Sequence, residues 1–237
     1  MLVITLLRRS MALWTLGYPD AAVADTDHAL SDAREIGHAA TLLIGFIAPI
    51  WTYPNCGNYA AANGPINELV ALAEEKDSSY WKAMGMLAQG SLLALTGKAV
   101  EAVPMLTSGL TALPSTGAIL HLPWFLLSLT RAYGELGLFD SAWRCIGETM
   151  TTVETTKERW LEAEVYRTGG EIALLSPSSD AAKAEAYFER ALSIARQQQA
   201  KSWELRAAMS LARLWRGSLS ARSTSSRRAI SSAKPRP

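Results

Sequence analysis

The chain has 237 residues, 49% of them hydrophobic and 19% charged, with a formal net charge of +1. That much apolar material excludes a disordered polymer and suffices to bury a core, either as one continuous array or as one or two domains. The near-neutral charge hides an asymmetry, because residues 216–237 hold six Lys or Arg and no acid, which leaves 17 basic against 22 acidic residues before them.

The opening apolar run, residues 2–7, is short and is followed rather than preceded by Arg8 and Arg9, an order that argues against a secretory signal. A first helix through Leu6 and Leu13 is expected to end at Gly17, and a second to start near Ala22 and run past Leu30. The longest apolar stretch, residues 39–51, is broken by Pro49 and falls short of the roughly 20 residues needed to cross a bilayer. Two cysteines, Cys56 and Cys145, are too few for a disulfide framework and suit a reducing compartment, so the sequence reads as cytoplasmic.

Written in rows of 40, the chain aligns Gly17, Gly57, Gly97 and Gly137 in one column and Ala22, Ala62, Ala102 and Ala142 in another. Apolar columns share the period: Leu6, Phe46, Met86 and Leu126; Leu13, Tyr53, Leu93 and Tyr133; Leu30, Val70, Leu110 and Met150. The first two columns lie seven residues apart, two helical turns on one face. A glycine just past an apolar helix takes the left-handed conformation that ends it. The alanine five residues on then lets the returning helix lie close. Each row is therefore expected to be a helical hairpin that buries its apolar face only by stacking on its neighbours.

The second row is irregular, with Pro49 and Pro54 in its first helix and the pair Gly64-Pro65 in its second. A kink or a late start is expected there, the late start being a helix that begins near Pro65 with Asn63 as its cap. A fifth row follows a two-residue insertion near Pro177, with Gly170, Ala173, Ala184, Phe188 and Ala191 in the corresponding roles. A sixth helix begins around Ser202. From Gly217 the sequence becomes rich in Ser and Arg and loses apolar periodicity, which predicts an array over residues 1–216 and a disordered basic tail over 217–237. Such a tail suits either an acidic partner or an out-of-register translation after a frameshift. On the second account the chain is a fragment, and the apolar face of the unpaired sixth helix, with Leu205, Met209, Leu211 and Leu214, promotes self-association.

In the fourth row, Leu126, Leu129, Tyr133, Gly137, Phe139, Ala142 and Ile146, with the turn AYGELGLFDSA, resemble the tetratricopeptide (TPR) signature, and LWTLGYPDAA at residues 13–22 echoes it. HEAT and armadillo units are also near 40 residues, but the turn chemistry is closer to the tetratricopeptide pattern. Residues 183–215 look like the end of the repeat arrays carried by bacterial signal-transduction ATPases, LuxR-type regulators and nucleotide cyclases. The resemblance implies an all-α, right-handed superhelical solenoid of antiparallel helix pairs. It also implies a protein-interaction and sensor scaffold belonging to a larger signalling protein.

Catalytic chemistry has little support. Gly97-Lys98 lacks the rest of a phosphate-binding loop, and no GxGxxG occurs. His28, His38 and His121 share no metal-ligand spacing and are expected at helix surfaces or hairpin ends. Glu158, Glu162, Glu164 and Glu171 alternate with Lys157, Arg159 and Arg167 as on a solvated, paired helix face. No enzyme activity, cofactor or metal is expected. Nucleic-acid binding would rest on the basic tail alone, since no basic stripe continues onto the helices. Trp81, Trp124, Trp160 and Trp203 fall in or near first helices, as core or as groove.

First helices of such an array line its concave surface. The candidate groove for a protein or peptide is therefore the column Trp51, Ser91, Arg131 and Glu171, with Trp124, Leu127, Glu164 and Arg167 beside it. Arg131 is expected to be exposed there.

Overall fold

The computed structural model describes residues 2–177 and 179–232, with side chains described through Gly217. Among the described residues there is no strand, and twelve α-helices and one 3-10 turn follow one another. The first hairpin is α1 (Leu2–Thr15) and α2 (Pro19–Ile36). The second row gives α3 (Ala39–Gly45), α4 (Ile47–Asn55) and α5 (Tyr59–Glu75), and the third α6 (Ser79–Leu95) and α7 (Ala99–Ser115). Then come α8 (Leu122–Glu135), α9 (Phe139–Thr156), the 3-10 turn Arg159–Leu161, α10 (Glu162–Leu175), α11 (Ala181–Gln197) and α12 (Lys201–Ser232).

The glycine column does what its spacing predicts. Gly17, Gly57, Gly97 and Gly137 all have positive φ, between 72° and 93°. One residue later the chain closes a Schellman turn, because the amides of Tyr18, Asn58, Lys98 and Leu138 donate to the carbonyls of Leu13, Tyr53, Leu93 and Tyr133. The apolar column thus also supplies the helix-ending acceptors. Ala22, Ala62, Ala102 and Ala142 are each fully buried, which fits their role at the close approach of the two helices.

A second left-handed column is present that residue type only half reveals. Gly37, Asp77, Gly117 and Lys157 have positive φ and end the second helices, so the backbone turns every 20 residues. Ser179 and Gln199 continue the series two residues late, as the insertion near Pro177 requires. Gly170 is a correction: it lies inside α10 and ends nothing. It leaves room for the Phe188 ring, which a Cβ would strike.

The second row also departs from expectation. Helix α5 starts at Tyr59, capped by Asn58, whose Oδ1 accepts from the Ala61 amide, and it runs through Pro65 instead of starting there. Asn63 is not its cap. A proline seven residues into a helix forfeits one backbone bond, and buried Ile66 and Leu69 on the same helix offset that loss. The break lies earlier, at Phe46 between α3 and α4. Pro49 has no N–H to offer the Gly45 carbonyl four residues back.

Helices α1, α4, α6, α8, α10 and α12 pack on one another in succession, with α2, α5, α7, α9 and α11 laid over the joints outside them. Helix α12 then packs back on α1, so the inner layer closes on itself. This changes the expected fate of the sixth helix. Leu211 is buried against Ala173, Ala184 and Phe188 with Leu214 beside it, because α11 and α10 cover that side of α12. Leu205 and Met209 remain exposed. The backbone of α12 also continues past Gly217, where the sequence reading ends the array; between Gly217 and Pro235 no proline interrupts the chain. Residues 233–237 of the expected tail lie outside the described residues.

Candidate functional site

Closure of the inner layer brings five indoles from distant parts of the chain together. Trp14 lies 5.2 Å from Trp51 and 4.6 Å from Trp203 between ring centroids, mostly edge to face. Trp51 reaches Trp124 at 6.3 Å and Trp160 at 5.8 Å, and Trp124 lies nearly parallel to Trp160 at 6.4 Å. Edge-to-face and offset arrangements of this kind add to the burial of large apolar rings. The concave face is therefore filled, at this level, by aromatic side chains. The Nε1 donors of Trp51 and Trp203 have no acceptor among the described residues.

Of the predicted groove residues, Trp51 and Trp124 meet in the indole cluster, and Arg131, Glu164, Arg167 and Glu171 meet in one charged network, mostly as buried groups. Trp51, Ser91, Trp124, Leu127, Glu164 and Arg167 are buried, and the Arg131 side chain is only 18% exposed. Glu164, on the first turn of α10, is the centre of a charged network. Its carboxylate accepts from Arg131 Nη2 at 2.5 Å, and from Arg167 Nη2 and Nε at 2.8 and 2.7 Å, with Arg206 Nη1 at 3.5 Å. Arg167 also pairs with Glu171 and donates to Ser210 Oγ at 3.4 Å. Two expectations fail here. Arg131 is not a free charge, and Glu164 and Arg167 do not lie on a solvated face, because α12 crosses over α10 and removes water from both.

Burial would raise the Glu164 pKa, but the positive charges of Arg167, Arg131 and Arg206 outweigh it and hold the carboxyl at about 2. The same carboxylate helps to hold the Arg167 guanidinium protonated, against burial. Three guanidinium groups, Arg131, Arg167 and Arg206, face two carboxylates, Glu164 and Glu171.

Beside the network opens a cavity of about 500 Å³, into which Arg131, Arg167, Arg206 and Arg213 converge. Its apolar wall includes Leu95, Trp124, Leu205 and Met209. Asn55, at the end of α4, also lines it, and its buried Oδ1 has no donor among the described residues. Trp51, Ser91, Leu127, Glu164 and Glu171 of the predicted groove do not line it.

Asn55, Arg206, Met209 and Arg213 were not among the predicted groove residues. For three of them the signal was present. Adding the two-residue insertion to the period of 40 carries Glu164 to Arg206, Arg167 to Met209 and Glu171 to Arg213, so the sixth helix repeats the groove columns of the fourth and fifth rows. Asn55 carries no such signal, since only ring closure brings α12 to it.

Glu158 is a further correction. It is buried, and both its oxygens accept from the backbone N–H of His121, at 3.1 and 3.2 Å. His121 has φ 67° at the start of α8, and burial lowers its pKa to about 4. His28 and His38 are exposed, as expected. Cys145 is buried on α9 and its pKa is pushed up to about 11 by burial, so it stays a thiol at neutral pH. Among the described residues no group of three or more His, Cys, Asp or Glu is placed to hold a metal ion, and no helix is long and apolar enough to cross a membrane.

The architecture is shared with a solved protein. The fold matches the apo form of RapI with a TM-score of 0.61 at 10% sequence identity, over 91% of this chain and 85% of that chain. The shared feature is the fold. No family model matches the sequence, and no curated protein matches it.

Proposed function

We propose that this chain is a protein-interaction and regulatory scaffold whose central cavity takes an acidic peptide segment or a peptide C-terminal carboxylate. The observation that carries the reading is the uncompensated positive charge at the cavity. Arg213 adds a fourth guanidinium that no carboxylate pairs with among the described residues, beside apolar Leu205 and Met209. A guanidinium binds a carboxylate through two parallel hydrogen bonds, and the apolar wall supplies area for a flanking side chain. The resemblance of residues 183–215 to the repeat arrays of signalling ATPases, regulators and cyclases supports a role within a larger signalling protein, which the DNA flanking the gene tests directly.

The binding test is selection from a random hexapeptide library with free C-termini, in parallel with the same library amidated. Sequences rich in acid, or dependent on the free carboxylate, are expected to be enriched, and to lose affinity for the Arg213→Glu variant by calorimetry. Arg213 is exposed, so this change leaves the fold intact. Peptides that bind the variant equally well, or no enrichment at all, would refute the reading.

A further inference from the structure

A second cavity, of about 540 Å³, lies on the other side of the indole cluster and shares no lining residue with the arginine-rich one. Trp124 lines the first and Trp51 and Trp160 line the second, so the contacts among these rings form the wall between them. The second cavity is built from the C-terminal half of α1, the approach to α8, and the 3-10 turn.

Its character differs from the first. Trp51 and Trp160 meet at 65° with their centroids 5.8 Å apart, and Met11, Leu16 and Leu120 complete an apolar surround. At the rim stand Arg8 and Lys157, neither of which pairs with a carboxylate among the described residues. Glu158, the one acid of the lining, already has both oxygens engaged by the His121 amide. Lys157 is fixed in place by its left-handed backbone at φ 62°, which ends α9 and directs the chain into the 3-10 turn.

We propose that this cavity is a binding site for a small aromatic carboxylic acid, its ring lying against Trp51 and Trp160 and its carboxylate held by Arg8 and Lys157. The volume falls within the range of small-molecule sites and suits a molecule of one or two rings. Flat aromatic walls favour a flat ring over a branched chain, since ring against ring adds quadrupolar attraction to area burial. Two unpaired cations at the rim against one engaged carboxylate give a local excess of positive charge, which selects an anion over a neutral analogue. This site does not depend on the peptide reading, because different residues line it.

Phenylacetate and its neutral analogue phenylacetamide serve as probes for the full chain, by calorimetry and by saturation-transfer NMR. Phenylacetate is expected to bind saturably at one site per chain, and phenylacetamide about tenfold more weakly, as befits the loss of a charge-assisted contact. The exposed double substitution Arg8→Gln, Lys157→Gln should remove that preference with the circular dichroism spectrum unchanged. Ala12→Phe, at another exposed lining position, should fill the cavity and block both probes. Arg213→Gln, which lies on the other cavity, should change neither. The proposal is overturned if phenylacetate does not bind saturably, if acid and amide bind alike, or if Arg213→Gln abolishes binding while the Arg8 and Lys157 substitutions do not.

Discussion

Arg206 of the last helix donates from Nη2 to the backbone carbonyl of Asn55, 151 residues earlier in the chain, at 2.8 Å. The same guanidinium lies 5.0 Å from the Trp14 ring centroid and 5.1 Å from that of Trp203, and 3.5 Å from Glu164. Ser202 adds a hydrogen bond to the Trp14 carbonyl at 2.5 Å. One side chain thus joins α12 to α1, α4 and α10 and also forms part of the cavity wall. Closure of the ring and the state of the cavity are coupled through it.

Arg206→Ala is expected to destabilise the protein by about 1–3 kcal/mol, through the loss of one charged hydrogen bond and two cation–π contacts. It should also let α12 separate from α1. A larger radius of gyration in small-angle scattering, at a temperature where the circular dichroism is still native, is the expected result. An unchanged radius and an unchanged urea midpoint would show that the ring is held closed by packing alone.

Arg131→Glu sets a carboxylate against Glu164 in a site nearly closed to water. Removing one partner of a buried pair costs about 3–5 kcal/mol, and a like charge adds to that. Arg131→Gln should cost clearly less. Chemical denaturation of the two variants, compared with wild type, measures the difference.

Gln199 ends α11 with φ 55° and is exposed. A left-handed backbone costs an ordinary residue roughly 1 kcal/mol that glycine does not bear. Gln199→Gly is therefore expected to raise the urea midpoint by an amount equivalent to about 0.5–1 kcal/mol. A lower midpoint would mean that the side chain contributes a contact outweighing the strain.

Acid should weaken the fold in two stages. Burial, with help from the positive charge of Arg8, lowers the His121 pKa from 6.5 to about 4. Between those values the unfolded chain binds a proton that the folded chain refuses, so stability falls as the pH falls through this window, by on the order of 2 kcal/mol. Glu164, held at about 2, contributes stability that is fully present above its ordinary value of 4.5 and is lost as the pH drops toward 2. Glu158, raised by burial, works in the opposite sense. Thermal melts from pH 7 to 3 should show the decline, and His121→Asn should flatten its upper part, since asparagine tolerates φ 67°. An identical slope in the variant would assign the upper window to other groups.

Much of this protein is written locally, and the sequence by itself determines that part. The hairpins, their glycine turns and the buried alanines follow from backbone sterics and side-chain volume, which act over a few residues and recur with the period of 40. Even the shift at Ser179 and Gln199 follows from the insertion near Pro177. The late cap assigned to Asn63 failed because a helix tolerates an interior proline when its apolar face is well buried, and burial is not a local property. Asp77 and Lys157 stayed hidden in their column because a left-handed turn needs a conformation, not a particular side chain. The candidate site was legible as a column of residues but not in its environment. Whether Arg131 meets solvent or Glu164, and whether five tryptophans line a groove or fill it, depends on α12 returning to α1. That closure is the sum of small rotations between successive repeats. No single residue encodes such a sum, so only the tertiary structure decides where it ends.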